Sequence, residues 1–248
     1  MKRAALFCGV MIALLALPAR AADITSFLSQ DQIQITSSYT GTDIVLIGAI
    51  EGISDSDSGY DVVVVVRGPD TTMVVRKKDR VGGLWINRDQ ASLELPSFYF
   101  LAGTRPPEQL APAITLERYG IGLQNLRSDR VISHHDPEPF RQALIRQQMA
   151  KGLYSQSFTA VQFKRIQFRV RVTIPADVAR GQYTAEAYLF HNGEVESVES
   201  SPLFIDQFGM DRRIYNLAHD WPLLYGLTAV LLASLMGWLS AVLFKRPN

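Results

Sequence analysis

The chain has 248 residues and carries 25 Lys+Arg against 24 Asp+Glu, a formal net charge of +1. Five of those cations (Lys2, Arg3, Arg20, Lys245 and Arg246) lie at the two extremities, so residues 22–220 hold a net charge of −4, a balance that argues against nucleic-acid binding. The one cysteine, Cys8, sits in the first 22 residues, so neither a disulfide framework nor a thiolate site is expected beyond them.

Met1–Ala22 reads as a secretory signal. Lys2 and Arg3 give a positive start, Ala4–Leu17 is an apolar core, and Pro18 breaks it. Ala19 and Ala21 then supply small residues at the −3 and −1 positions of a cleavage site. The core falls short of the roughly 20 residues that a span needs. Cleavage after Ala21 is predicted.

The next 200 residues read as one exported, mainly β domain over 22–220, with a helical insertion at about 104–156. Asp43–Ile50 is a strongly apolar strand. Asp61–Arg67 follows it and contains five successive valines, Val62–Val66, which implies burial on both faces. Thr72–Lys77, Gly82–Asn87 and Leu93–Leu101 are predicted as further strands, with a break or edge at Pro96. In the insertion, Asp136-Pro137-Glu138 starts a helix, with a carboxylate cap and proline in the first turn. Phe140, Leu144, Ile145 and Met149 share one face, and Gly152 ends it. This helix is the expected cover for the outer face of the valine strand.

Lys164–Ile174 alternates cleanly: Ile166, Phe168, Val170, Val172 and Ile174 on one face, Arg165, Arg169 and Arg171 on the other. Gln182–Phe190 and Val195–Ile205 are predicted to pair through a two-residue Asn192-Gly193 turn. That register sets Glu186 opposite Glu199, a repulsive pair that Arg169 or Arg171 on the neighbouring strand is expected to relieve. The same arginines could instead hold an anion. The unit resembles the closing strands of immunoglobulin-like sandwiches, and the resemblance implies a β-sandwich with an inserted helical stretch.

Trp221–Phe244 contains no charged residue and is long enough, at about 1.5 Å per residue, to cross a hydrocarbon core of about 30 Å. Trp221, Tyr225 and Trp238 are placed as interface aromatics, and Lys245 and Arg246 suit a cytoplasmic end. The expected topology is a single pass in a bacterial inner membrane, with the large domain periplasmic and residues 245–248 as a cytoplasmic tail. Ala229, Ala233, Gly237 and Ala241 recur every fourth residue and could let another helix approach closely. Self-association or an integral-membrane partner is the expected use of that stripe.

Over the whole chain, the signal segment, the run Tyr39–Gly52 (YTGTDIVLIGAIEG), the valine strand with Arg67-Gly68-Pro69 and the late span together resemble a family of predicted transmembrane proteins from alphaproteobacteria, Alph_Pro_TM. The resemblance implies topology rather than an activity, with a sulfite-exporter-type transporter encoded nearby.

Signatures of catalysis are missing. The chain has no Gly-x-Ser-x-Gly elbow, no Ser-x-x-Lys pair and no P-loop. Asp55, Asp57 and Asp61 resemble the front of a calcium loop, but Gly59 stands where a ligand belongs and Val66 where the bidentate glutamate would be. His134, His135 and Glu138 form the one group suited to metal or acid–base chemistry. Adjacent histidines in extended backbone diverge, and zinc ligands normally converge from separate elements. No cofactor is expected. The reading is a non-enzymatic accessory subunit of an inner-membrane complex, with a periplasmic metal-binding protein or hydrolase as the alternative.

Overall fold

The computed structural model describes residues 22–36, 39–53, 59–128, 130–133, 136–158, 160–164, 166–207 and 217–243. The signal segment, the calcium-like positions Asp55 and Asp57, the His134-His135 pair, Arg165 and the terminal cations lie outside those residues.

Thirteen strands fall into three sheets among the described residues. One has four strands: β1 (Asp23–Leu28), β3 (Thr42–Glu51), β11 (Gln167–Ile174) and β10 (Gln162–Lys164), in that order. A second has six, in the order β2 (Gln32–Ile35), β13 (Glu194–Gln207), β12 (Gly181–His191), β4 (Tyr60–Arg67), β7 (Tyr99–Gly103) and β9 (Tyr154–Ser157). The third joins β5 (Asp70–Val81), β6 (Leu84–Pro96) and the short β8 (Val131–Ser133). Inner faces of the first two sheets contribute to one apolar cluster, with Ile44, Leu46, Val170 and Val172 from one and Val62, Val64, Val66 and Ala187 from the other.

The valine strand is buried along its whole length, as the unbroken run requires. It is central because β12 pairs with it on one side and β7 on the other. Its outer face, however, is not covered by the helix that the sequence nominates. That helix, α3 (Glu138–Ala150), packs instead on β5, β6 and β9. The earlier stretch holding α1 (Pro107–Leu110), α2 (Ala113–Tyr119) and the 3-10 turn Leu123–Asn125 is instead tied to β4, β7 and β12, through Arg67, Tyr99 and Tyr188. The reason is connectivity. β7 runs straight into α1, so the chain is already beside those strands before α3 begins.

Start and end of α3 match the sequence reading. Asp136 accepts the Glu138 N–H at 3.1 Å, and Gly152 follows the last turn with φ +72°. Phe140, Leu144 and Ile145 are buried. Met149, assigned to the same face, is exposed, whereas Gln148 is buried and its Nε2 lies 2.9 Å from Met73 Sδ.

Strands β5 and β6 form one long hairpin rather than separate strands. Gly82 and Gly83, both at positive φ, make a two-residue turn that pairs Val81 with Leu84. Furthermore, its ladder is continuous with that of β4 and β7. The Gly68 N–H donates to Phe98 O and the Ser97 N–H to Pro69 O, both at 2.9 Å, and these bonds bridge the gap between Arg67↔Tyr99 and Asp70↔Pro96. Pro96 ends β6, where the break was placed.

Gly48, on β3, lies between Ser26 of β1 and Phe168 of β11. A Cβ here would overlap the Phe168 ring and stand 2.5 Å from Thr25 O. Both edges of the six-stranded sheet end in four-residue strands laid parallel to their neighbours, β2 on β13 and β9 on β7.

Candidate functional site

The predicted functional residues belong to three places: the outer faces of the sheets, the start of α3 at Glu138, and the C-terminal helix. The arginine stripe and the two glutamates do not assemble as expected. After β11 the turn at 175–180 crosses from the four-stranded sheet to the six-stranded one, so β11 neighbours β3, and β12 neighbours β4 and β13. Arg169 and Arg171 are exposed on β11, and Arg171 lies 3.6 Å from Asp43. Neither is beside Glu186.

Glu186 and Glu199 are not opposite each other either. The Asn192-Gly193 turn forms as predicted, with φ of 52° and 86°, and pairs His191 with Glu194. A bulge at Leu189/Phe190 then inserts one extra residue on β13, so Glu186 pairs with Ser200 and Glu199 with Ala187. One residue of slip removes the carboxylate clash altogether.

The true partner of Glu186 is Arg67, at the end of the valine strand. Its Nη1 lies 3.0 Å from Glu186 Oε2, and its Nη2 donates to Tyr119 O at 2.7 Å and Gly120 O at 3.1 Å. Tyr188 donates to the same Glu186 oxygen at 2.9 Å, and its ring meets Tyr119 edge-on at 5.6 Å. Tyr99 accepts the Gly122 N–H at 2.8 Å. Together these groups fasten the α1–α2 stretch to the sheet. The guanidinium and the carboxylate are each held by more than one group, so the cluster acts as a structural clasp. The sequence signal for it is a lone cation that closes a run of five valines.

Burial acts on the tyrosines of this core. Desolvation pushes the hydroxyls of Tyr99 and Tyr183 up to about 12, and those of Tyr154 and Tyr188 higher still. A group whose folded pKa is raised contributes fully below its unfolded value and loses that contribution as the pH climbs through the folded one. Stability is therefore expected to be insensitive to tyrosine ionisation below about pH 10 and to fall steeply as the pH rises toward 12. Thermal melting followed against pH, alongside phenolate absorbance, checks this. Phenolate absorbance amounting to all nine tyrosines before unfolding would contradict it.

A second clasp sits at the other end of β4. Buried Asp61 accepts from Thr104 Oγ1 at 2.6 Å and from Arg105 Nε at 3.0 Å, and also pairs with Arg105 Nη2. The last of the three carboxylates in the calcium-like run is thus occupied by protein groups.

Of the metal-capable group, Glu138 alone is described. Its oxygens take Arg141 Nε and Nη2, both at 2.8 Å, and Gln142 Nε2 at 3.0 Å, and the Arg141 guanidinium holds the carboxyl below its ordinary range. Among the described residues, no cluster of three His, Cys, Asp or Glu side chains is arranged to hold a metal.

The C-terminal helix α4 (Pro222–Leu243) is long and apolar enough to cross a membrane. Its side chains through Ser240 are exposed on every face, Leu223 to 89%. A core helix would be buried in the domain. Here Ala229, Ala233 and Gly237 fall in line and are exposed among the described residues; Ala241 continues the same helix, but its side chain lies outside them. Thr228 satisfies its hydroxyl on Leu224 O at 2.6 Å, the usual device for a hydroxyl in an apolar surrounding.

No curated protein matches the sequence. Among solved structures, the chain is similar to the crystal structure of Spo0M, a sporulation control protein from Bacillus subtilis, at 10% identity and a TM-score of 0.31. That alignment covers 81% of this chain and 56% of the other, so the chain spans little more than half the length of that protein. Residues 23–246, from the first strand through the apolar helix, match the family described as "Putative transmembrane protein (Alph_Pro_TM)", and the chain belongs to that family.

Proposed function

We propose that this is a single-pass inner-membrane protein whose β-rich part is exported to the periplasm and serves as a non-catalytic accessory subunit, docked through its span onto an integral-membrane partner. One observation carries the reading: a helix of 22 residues, apolar and exposed on every described face, in a chain of a transmembrane family. Such a helix needs lipid and neighbouring helices as its surroundings. The signal-like first 22 residues and Lys245-Arg246 support export of the domain. Two sheets sharing one apolar cluster, with Asn192-Gly193 closing a long hairpin, support an immunoglobulin-like β-sandwich as its architecture. The rival, metal or acid–base chemistry at His134, His135 and Glu138, is weakened because Arg141 and Gln142 already occupy the Glu138 carboxylate.

Affinity capture from native membranes in mild detergent, comparing the natural chain with Ala233→Leu/Gly237→Leu, tests the docking. An integral-membrane protein is expected to co-purify with the first and to be lost with the second, since leucine there holds an approaching helix away. In the same membranes, Arg169→Cys in a Cys8→Ser background is expected to react with an impermeant maleimide in intact spheroplasts. Unchanged recovery of the partner sinks the docking; absence of labelling sinks the export.

A further inference from the structure

We infer that the β5–β6 hairpin is a second membrane contact, an arm whose tip settles among the headgroups of an anionic bilayer. The inference rests on the span alone, whichever side of the bilayer the β-rich part occupies. Residues 76–88 are exposed on both faces of the ribbon except for Asp79. At roughly 3.3 Å per residue the free portion reaches about 20 Å. Its end is apolar: Leu84 is 72% exposed and Trp85 68%, with Val81 and Ile86 beside them. Two-stranded ribbons are only marginally stable alone in water, and four large apolar side chains at a solvated turn add a cost that a partner surface would remove.

Charge selects the partner. Arg76, Lys77, Lys78 and Arg88 form a collar behind the tip and Arg80 lies across the ladder from Trp85, against two carboxylates, Asp79 and Asp89. That positive collar stands on a domain of net charge −4. A tryptophan at the end, aliphatic residues around it and long cationic side chains just behind is the arrangement that places a ring at the headgroup level and cations on lipid phosphates.

Topology starts this arm at the end of the sheet from which the chain leaves for the span. In the six-stranded sheet Arg67 pairs with Thr184, and Gly181 with Ile205, so the root of the arm and the strand end leading to the span leave the same end of the sheet. They are two strand spacings apart, about 10 Å. A Cβ on Gly181 would come within 3.0 Å of Pro69 Cγ, which shows how closely the arm's root is packed against that end. Nine residues separate Gln207 from the helical turn at 217–220 that precedes α4. Nine residues can reach at most about 30 Å, which bounds the gap between that end of the sheet and the span, against about 20 Å for the free portion of the arm.

The experiment uses the full chain with Trp221→Phe and Trp238→Phe, leaving Trp85 as the one tryptophan. It is reconstituted into vesicles of phosphatidylcholine alone or with added phosphatidylglycerol. On adding phosphatidylglycerol, Trp85 emission is expected to shift to the blue, its quenching by acrylamide to fall severalfold, and brominated lipid to quench it. Lys78→Glu/Arg80→Glu, with unchanged circular dichroism, is expected to abolish the difference, as is raised salt. Trp85 as accessible in anionic vesicles as in detergent would overturn the inference. So would shielding that follows the protein-to-lipid ratio, which means a second copy, or shielding found in native membranes alone, which means a protein partner.

Discussion

Replacing Gly48 with valine is expected to prevent the domain from folding. Gly48 occupies the middle of β3, where Phe168 lies across it from β11 and the Thr25 carbonyl closes the other side. The ring fills the space that a side chain would take. The first carbon of any substitution meets the ring and a main-chain oxygen at once, and backbone cannot swing away as a flexible side chain can. Overpacking of this kind costs about 1–3 kcal/mol for a methyl and more for a branched side chain, against a total stability on the order of 5–15 kcal/mol. Gly48→Ala should give a folded but weakened protein, and Gly48→Val an aggregated one. Because the ring is half of the obstacle, Phe168→Leu should soften the penalty of Gly48→Ala, so the double variant falls short of the sum of the singles. Urea midpoints of the four proteins test this. Additive losses would mean that the ring is not the obstacle.

Arg67→Met is the second large effect, at about 2–3 kcal/mol, the cost of leaving a half-buried carboxylate and two carbonyls without their charged donor. The change strands the Glu186 carboxylate beside Tyr188 and leaves the Tyr119 and Gly120 carbonyls without their donor. Arg67→Lys should recover little. An ammonium cannot reach a carboxylate on one side and two carbonyls on the other in the fixed fork that guanidinium supplies. The loss should be local before it is global. Amides of residues 113–122 are expected to exchange faster in the variant, while β12 and β13 keep their protection. Uniform acceleration across the sheet would show that the cluster does not fasten the α1–α2 stretch in particular.

Much of the architecture was written locally. The valine run, the alternation of Gln167–Ile174, the Asn192-Gly193 turn and the cap of α3 each depend on near neighbours, and each formed as read. What could not be read was which strand lies beside which. The crossing after Ile174 sent Arg169 and Arg171 to a different sheet from Glu186, although ten to twenty residues of plausible hairpin sequence joined them. A single bulged residue then undid the Glu186–Glu199 pairing, because register propagates every local irregularity along a whole ladder. Gly82–Asn87 reads as a separate strand because its apolar residues follow two glycines directly, and only the pairing of Val81 with Leu84 makes those glycines a hairpin turn. The span, by contrast, needed no tertiary information. Its composition alone defines its solvent.

The short parallel strands β2 and β9 have a consequence for life on a surface. Tethering confines molecules to a plane, where lateral collisions between like copies are frequent and orientations are restricted. A broad sheet with a bare margin would then be a template for zipping one molecule to the next. Four-residue strands running the same way as their neighbours leave a margin too brief and too irregular to recruit another chain. Neither flank of the six-stranded sheet therefore gives a crowded neighbour a place to add a strand.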